Sequence, residues 1–489
     1  MSDIVLATVN TKFQHAAFGL RYLLANLGDL FSRAVLKEWS LGVRERDVVE
    51  QILKENPIVV GFSVYIWNVS TITTICSLLK RISPQTVVVI GGPEVSHEWE
   101  QTELFRLSDY LIRGEGDIAF ADLARALLAG ERPENKVVTG GLPPLDQLAW
   151  PFPYYSDFDL EHQRMIYVEA SRGCPFQCHF CLSSLDRSVR NFPLDSFLQQ
   201  MGSLVDRGVK QFKFVDRTFN LKASTSLAIL NFFLERYREG MFFHFEMIPD
   251  RLPPELRSVI VEFPPGVLQF EVGIQSFNPE VCARIGRRQN FEALESNLRF
   301  LAERTGVHVH ADLIAGLPGE DLQSFAAGFD RLQALGVAEI QVGILKRLRG
   351  TPITLATEEW GMVYASESPY EVLSTSHLSF FELLQLQRFA RYWDLVANSG
   401  RFPRALEPLL EGESAFAEFM RFSDWLYCRL STTGGISLKR LSGELALYLS
   451  EERGLAEAHR LVEQDVTTPR VQSELPARQS RRLEVKGGD

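Results

Sequence analysis

Up to about residue 130 the chain alternates short β-branched apolar runs with amphipathic stretches, and the alternation resumes between about residues 165 and 350. The first run reads DIVLATVN, HAAFGLRYLLANL, AVLKEWS, RERDVVEQILKE, PIVVGFSVY, STITTICSLLKRI, TVVVIGGPEV and YLIRGEGD. Strand then helix, repeated, predicts an α/β fold: a doubly wound, flavodoxin-like amino-terminal domain with a parallel sheet covered on both faces. Such sheets bind ligands beyond the carboxyl ends of their strands. The loops that follow strands here are Asn10 to His15, Ser63 to Trp67 and Gly91-Gly92-Pro93-Glu94. Gly91 and Gly92 would let the backbone approach a ligand closely. Taken alone, these loops could equally be turns without a ligand, and His15, opening a helix, a cap or a solvated residue.

A linker rich in proline and aromatics, GLPPLDQLAWPFPYYSDF, leads into the second run, which opens with the apolar strand of MIYVEASRGC. That strand delivers Cys174 into a loop, CPFQCHFC, holding three of the chain's six cysteines. The amino terminus lacks the features of a signal peptide, and no apolar run reaches the about 18 residues that a membrane span needs. A cytoplasmic protein is expected, in which thiols stay reduced and a tight cysteine cluster marks a metal site more readily than disulfides. With 489 residues, 45% of them hydrophobic and 23% charged, the chain can build two or three cores. A net charge of −11 argues against nucleic acid as a partner. Thiolates suit zinc or iron-sulfur clusters alike. A closed zinc site wants four ligands, and Cys76, Cys282 and Cys428 are each isolated in sequence, although zinc could recruit His179. A ferredoxin-type cluster would want a fourth cysteine at a recognisable spacing.

After the helix PLDSFLQQMGSLVDRG come KQFKFVDRTFN, FFHFEMIPDRL, VLQFEVGIQSFN, VHVHADLIAGLPGE and EIQVGILKRLRGTP. With the first strand these predict six parallel strands, a partial (β/α)6 barrel. Barrels carry chemistry at the carboxyl ends of their strands, which puts Asp216, Glu246, Glu271, Gln275, Asp312 and Lys346 at or near the productive rim. Each could equally be structural, and Cys282, on a helical stretch, is expected to pack in the core.

The spacing C-x3-C-x2-C with an aromatic, Phe180, before the last cysteine resembles the radical SAM enzymes. There three cysteines, here Cys174, Cys178 and Cys181, hold three irons of a four-iron four-sulfur cluster, and the fourth iron chelates S-adenosylmethionine. The resemblance implies a 5′-deoxyadenosyl radical and an external electron donor such as flavodoxin or ferredoxin. It puts Asp216 near the amino group of S-adenosylmethionine, in place of a Gly-Gly-Glu stretch. Glu271, Gln275 and Ser276 fall toward the ribose and carboxylate, and Gly316 and Leu317 beside the adenine. The first domain resembles the cobalamin-binding domain that precedes many radical SAM barrels. Ser63 and the Gly91-Gly92 pair match residues lining the cofactor's nucleotide tail, with Tyr65 where leucine is usual and Asn10 in the first loop. No Asp-x-His-x-x-Gly occurs, so the resemblance implies cobalamin without histidine on the cobalt.

From about residue 365 the pattern turns helical. Aromatic-rich FFELLQLQRFARYW is expected to pack as core, with a cavity wall as the alternative. The domains expected are 1–135 cobalamin-binding, 136–160 linker, 161–355 barrel, 356–463 helical and 464–489 a disordered tail. The whole resembles cobalamin-dependent radical SAM proteins, many of them methyltransferases on unactivated carbon or phosphorus, with a small-molecule substrate and no membrane partner. The alternatives are transfer of a 3-amino-3-carboxypropyl group, a rearrangement with an empty or helper cobalamin domain, and a cluster-bearing sensor without turnover.

Overall fold

In the computed structural model, residues 1–467 are described. The first six strands are β1 (Ile4–Asn10), β2 (Ala34–Ser40), β3 (Val59–Ser63), β4 (Val87–Gly91), β5 (Tyr110–Arg113) and β6 (Val137–Thr139). They form one parallel sheet in the order β2-β1-β3-β4-β5-β6. Its helices are α1 (Phe18–Ala25), α2 (Glu45–Leu53), α3 (Val69–Ile82), α4 (Glu103–Leu107) and α5 (Ala119–Leu128). Covered on both faces, the central strands carry apolar residues almost without a break, and all seven residues of β1 are buried. The strand order reverses at β1, so a crevice opens beyond the carboxyl ends of β1 and β3. Three-residue β6 extends this domain to Thr139, past the expected boundary at 135. An edge strand that short leaves too few residues for alternation to show.

The linker is not a free tether. Its helix α6 (Asp157–Glu161) begins with a Ser156–Asp159 capping box. Asp159 then reaches the buried Arg21 of α1 at 2.9 Å, and Arg164 joins Asp159 at 2.7 Å and Glu38 at 3.1 Å. The charges satisfy one another, which is what makes their burial tolerable.

The second sheet holds β7 (Ile166–Val168), β10 (Gln211–Phe214), β11 (Phe242–Met247), β12 (Leu268–Gln275), β13 (His308–Ala315) and β14 (Glu339–Ile344). All are parallel and in sequential order, the arrangement of a partial (β/α) barrel. Two short strands, β8 (Ser171–Arg172) and β9 (Arg190–Asn191), pair antiparallel and close the neck of the cysteine loop. Around the barrel lie α7 (Leu194–Asp206), α8 (Ala223–Glu235), α9 (Pro254–Val261), α10 (Pro279–Arg284), α11 (Phe291–Arg304) and α12 (Leu322–Gln333). Period-two alternation sorts the strands: Phe212, Phe214, Phe243 and Phe245 turn outward onto Phe233 of α8 and one another, with ring centroids 4.4–6.1 Å apart. Lys213, His244, Glu246 and Glu271 take the opposite, inner face.

A small hairpin, β15 (Val363–Tyr364) with β16 (Val372–Ser374), precedes α13 (Phe380–Val396), α14 (Pro403–Leu410), α15 (Ala415–Leu430), α16 (Leu438–Glu451) and α17 (Ala458–Thr467). Phe389 and Trp393 of α13 are buried against Phe329 of α12 and Phe416 and Phe419 of α15, so this aromatic-rich helix joins the barrel's core and does not wall a cavity. Its first turn leaves Phe380 and Phe381 exposed. Helix α17 runs through Thr467, four residues into the expected tail; the rest of that tail, 468–489, lies outside the described residues. Among the described residues no helix is long and apolar enough to cross a membrane.

Candidate active site between the two sheets

A cavity of about 670 Å³ runs from the carboxyl ends of the first sheet to those of the barrel. On the first domain's side it is lined by Asn10, Ser63, Tyr65, Gly91 and Gly92, all five expected there from sequence. On the barrel's side it reaches Tyr167, Glu169, Arg172, Val215 and Arg217. The two sheets therefore present their carboxyl edges to one shared cavity.

The loops are held for that purpose. Asn10 donates to the His15 carbonyl at 2.8 Å and to Glu38 at 2.9 Å, fixing the loop after β1. Asn68 donates to the carbonyls of Ser63 and Val9, tying the loop after β3 to β1. Tyr65 stacks on Trp67 with centroids 4.3 Å apart and planes 6° from parallel. Gly92 sits at φ +112°, and a Cβ there would lie 2.5 Å from the Val64 carbonyl oxygen. The glycine is thus required by the neighbouring backbone, beyond any need of a ligand. His15 is neither cap nor solvated: its Nδ1 meets the Tyr167 hydroxyl at 2.5 Å across the domain boundary. Burial, with Lys213, Lys12 and Arg164 nearby, lowers its pKa.

At the barrel's edge, Cys174 and Cys178 are buried, Cys181 is partly open, and none is in a disulfide. Burial pushes the Cys174 and Cys178 thiols up, and the charges of the three thiols act on one another. Among the described residues, no three His, Cys, Asp or Glu side chains converge as the ligands of a single metal ion do. Thiolates spread around one loop fit a cluster in which each serves its own iron. Arg287, which sequence reasoning missed, places Nη1 3.6 Å from Cys178 Sγ and anchors Nη2 on the Gly273 carbonyl. Its position in GRRQN, between helices α10 and α11, gave no strand-end signal. Phe180 is half-buried against the barrel core.

Gln275 fits a ligand role best among the polar residues expected at the rim. It ends β12 at φ +73°, and its buried Oε1 has no partner among the described residues. A strained residue holding an unsatisfied acceptor is the mark of a site that something else completes. The other residues expected at the rim carry local bonds. Asp216 turns inward: its oxygens accept from the Ala170 amide at 3.0 Å and the Ser171 hydroxyl at 2.6 Å, clamping the entry to the cysteine loop. Burial raises it to about 6. Ser276 donates to Glu320 at 2.5 Å and accepts from the Asn278 amide, so its hydroxyl is engaged. Glu271 faces His244 at 3.0 Å and Lys213 at 3.9 Å within the barrel; burial alone would raise its pKa, and the hydrogen bond with His244 and the charge of Lys213 pull it below the usual range. Gly316 admits Val372 of the hairpin, whose Cγ1 would lie 2.5 Å from a Cβ, and Leu317 is core, so packing accounts for both. Asp312 pairs with His310 at 3.3 Å, and Lys346 bridges by its backbone to Glu371. Cys282 is buried beside the Ser276 carbonyl, as expected of a core residue.

Glu169 and Arg172, in VEASRGC, also escaped sequence reasoning. Arg172 gathers Glu169 at 2.9 Å and, from the first domain, Asp117 and Glu115 at 3.0 Å each. Arg190 completes the lattice on Glu115. Burial raises Glu169 to about 7 against the pull of Arg172.

Residues 4–124 match the family described as the B12 binding domain, and residues 168–332 the radical SAM superfamily. Residues 358–478 match a family described as a protein of unknown function, DUF4080. An uncharacterized methyltransferase, PH0819 of Pyrococcus horikoshii, is 25% identical over 76% of this chain and 86% of its own length. The cobalamin-dependent radical SAM methyltransferase TokK of Streptomyces tokunonensis is 25% identical over 59% of this chain and 47% of its own. Among solved structures, the radical S-adenosylmethionine methyltransferase TsrM of Kitasatospora setae, with tryptophan and an S-adenosylmethionine analogue bound, superposes with a TM-score of 0.59. It is 18% identical over 76% of this chain and 80% of that one. The same protein has also been solved with cobalamin and a [4Fe-4S] cluster bound. Two matched domains meet at one cavity, and the chain is a radical SAM enzyme with an amino-terminal cobalamin-binding domain, its cofactors a [4Fe-4S] cluster, S-adenosylmethionine and cobalamin.

Proposed function

We propose that the protein is a methyltransferase acting on a small molecule held between cobalamin and the cluster, with Cys174, Cys178 and Cys181 as ligands of three irons. The observation that carries this is the single cavity whose lining passes from the loops at Ser63 and Gly91-Gly92 to the barrel edge at Tyr167 and Arg217, beside the cysteines. When bound, the two metal groups supply methyl-donor chemistry on one side and electron-driven cleavage of S-adenosylmethionine on the other. The chain's own residues do the holding. Asp216 and the β8–β9 pair fix the cysteine loop, Asn10 and Asn68 fix the loops of the first domain, and Arg172 locks the two domains to one separation. Gln275 Oε1 and Arg287 offer an acceptor and a cation for the polar end of S-adenosylmethionine. Placing the substrate between the two domains brings these groups to bear on it from both sides.

The test is anaerobic loading followed by product analysis. Protein supplied with iron, sulfide and cobalamin should take up about four irons and one cobalamin. With a strong reductant and S-adenosylmethionine it should slowly release both S-adenosylhomocysteine and 5′-deoxyadenosine. Replacing the three cysteines by alanine should abolish iron uptake and 5′-deoxyadenosine while leaving cobalamin bound. Methylthioadenosine in place of these products would move the reading to transfer of the aminocarboxypropyl group, and loaded protein forming no nucleoside at all would defeat catalysis.

A further inference from the structure

Arg217 stands where the cavity reaches the cysteine loop. It follows β10, lines the cavity with Tyr167, Glu169 and Val215, and acts electrostatically on Cys174 and Cys181. Half of its side chain is open, and the residue lines the cavity. Its guanidinium is only partly used. Nη1 donates to both oxygens of Glu246, at 2.8 and 3.1 Å, and among the described residues no group accepts from Nε or Nη2.

The other charges lining this space are engaged with one another. Arg172 holds Glu169, Asp117 and Glu115, and Arg190 holds Glu115 from behind. A strut between two strands would close its donors on protein acceptors. This arginine lines the cavity and is instead gripped from one side, its Nε/Nη2 edge without a protein acceptor among the described residues. A planar guanidinium edge with two parallel N–H donors matches a carboxylate, and does so most strongly where water is excluded.

We propose that Arg217 anchors a carboxylate of the substrate, seated on its Nε/Nη2 edge while Glu246 holds the guanidinium from behind. This rests on the reading of the cavity as the place where substrate lies between the two cofactors, and it deepens that reading by naming the substrate class: small carboxylic acids. The carboxylate then fixes one end of the substrate near the cysteine loop and leaves the remainder to extend toward the first domain. Glu246 tempers the anchor, since it competes for the same positive charge.

Benzoate, with benzamide as its neutral isostere, serves as the probe. Saturation-transfer NMR would follow binding to the full chain with iron, sulfide and cobalamin content verified on the same sample. S-adenosylmethionine is kept in excess to fill the open iron, and reductant is left out so that nothing turns over. Benzoate should bind saturably and benzamide should not. Arg217→Gln should weaken benzoate by about tenfold or more, as the loss of a charge-assisted pair requires. Arg217→Lys should fall between, keeping the charge but losing the fork. Glu246→Gln should tighten benzoate, an effect a strut would not produce. Equal binding by wild type and Arg217→Gln, no binding by the loaded wild type, or weakening by Glu246→Gln would each overturn the inference and leave the proposed function standing. Wild-type protein that fails to load its cofactors would overturn both.

Discussion

Glu320, beside the candidate site in LPGE, is 1% exposed, with Oε1 accepting from Ser276 at 2.5 Å and Oε2 without a partner among the described residues. Burial raises its pKa from 4.5 to about 7. A group whose pKa is higher folded than unfolded adds stability that is fully present below the unfolded value and is lost as pH rises through the folded one. The window is therefore roughly pH 4.5 to 7, and at about 1.4 kcal/mol per unit the effect is on the order of 3 kcal/mol. Glu320→Gln keeps an acceptor for Ser276 and removes the titration, so the fall in unfolding midpoint between pH 5 and 8 should become shallower by up to that amount. Glu169 and Asp216, raised to about 7 and about 6, and His310, raised to about 9, share the sign and contribute to the slope that remains. Urea unfolding across this range makes the measurement, and an unchanged slope would mean that Glu320 stays ionised in the folded protein.

Helix α1 forms one wall of the cavity, and Gly19 on it has only the Tyr65 hydroxyl, at 3.8 Å, near the position of a Cβ. A side chain there enters cavity space without disturbing backbone, and leucine favours the helix by roughly 0.8 kcal/mol over glycine. Gly19→Leu should therefore keep or raise thermal stability, leave iron uptake intact and sharply reduce cobalamin uptake, measured by visible absorbance after gel filtration. Uptake at the wild-type level would place the cofactor elsewhere. Gly92→Val is the poorer probe, because its Cβ strikes Val64 before it meets a ligand. All six barrel strands and the first five strands of the amino-terminal sheet could be read from sequence: central strands of the first sheet, buried on two faces, leave unbroken apolar runs, and the barrel strands show apolar residues alternating with polar ones. The cysteine triplet and the loops after β1, β3 and β4 were legible for the same reason: they follow such strands. The local bonds of Asp216 and Ser276 could not be read, because a polar residue at a strand's end carries no sign of which neighbour will engage it. Arg172, Arg217 and Arg287 went unread because their partners lie up to 109 positions away, across element or domain boundaries.

The three parts of the molecule meet on the loop after β4. Glu94 in that loop is buried, and its Oε1 accepts from Arg349 Nε at 2.9 Å and from the Tyr370 hydroxyl at 2.7 Å, one after the barrel's last strand and the other in the β15–β16 hairpin. Glu98 takes Arg347 at 2.8 Å and the Gly350 amide at 3.0 Å, and Ser368 donates to the Ile66 carbonyl in the loop that carries Tyr65 and Trp67. The segment between barrel and helices thus grips two of the first-domain loops that line the cavity, those after β3 and β4. With the Arg172 lattice, two separate clamps hold the domains together. Removing one partner of a buried pair strands the other's charge, at about 3 kcal/mol or somewhat more. Arg349→Ala should cost about that much in urea-unfolding stability, whereas Arg349→Ala combined with Glu94→Gln should cost less than Arg349→Ala alone, because the stranded carboxylate is gone. Cobalamin uptake should follow the same order: weakest in the single arginine variant and partly recovered in the double, while iron content stays at the wild-type level. Strictly additive losses in stability would mean that Glu94 and Arg349 act separately, and the clamp would then rest on Glu98 and its two partners.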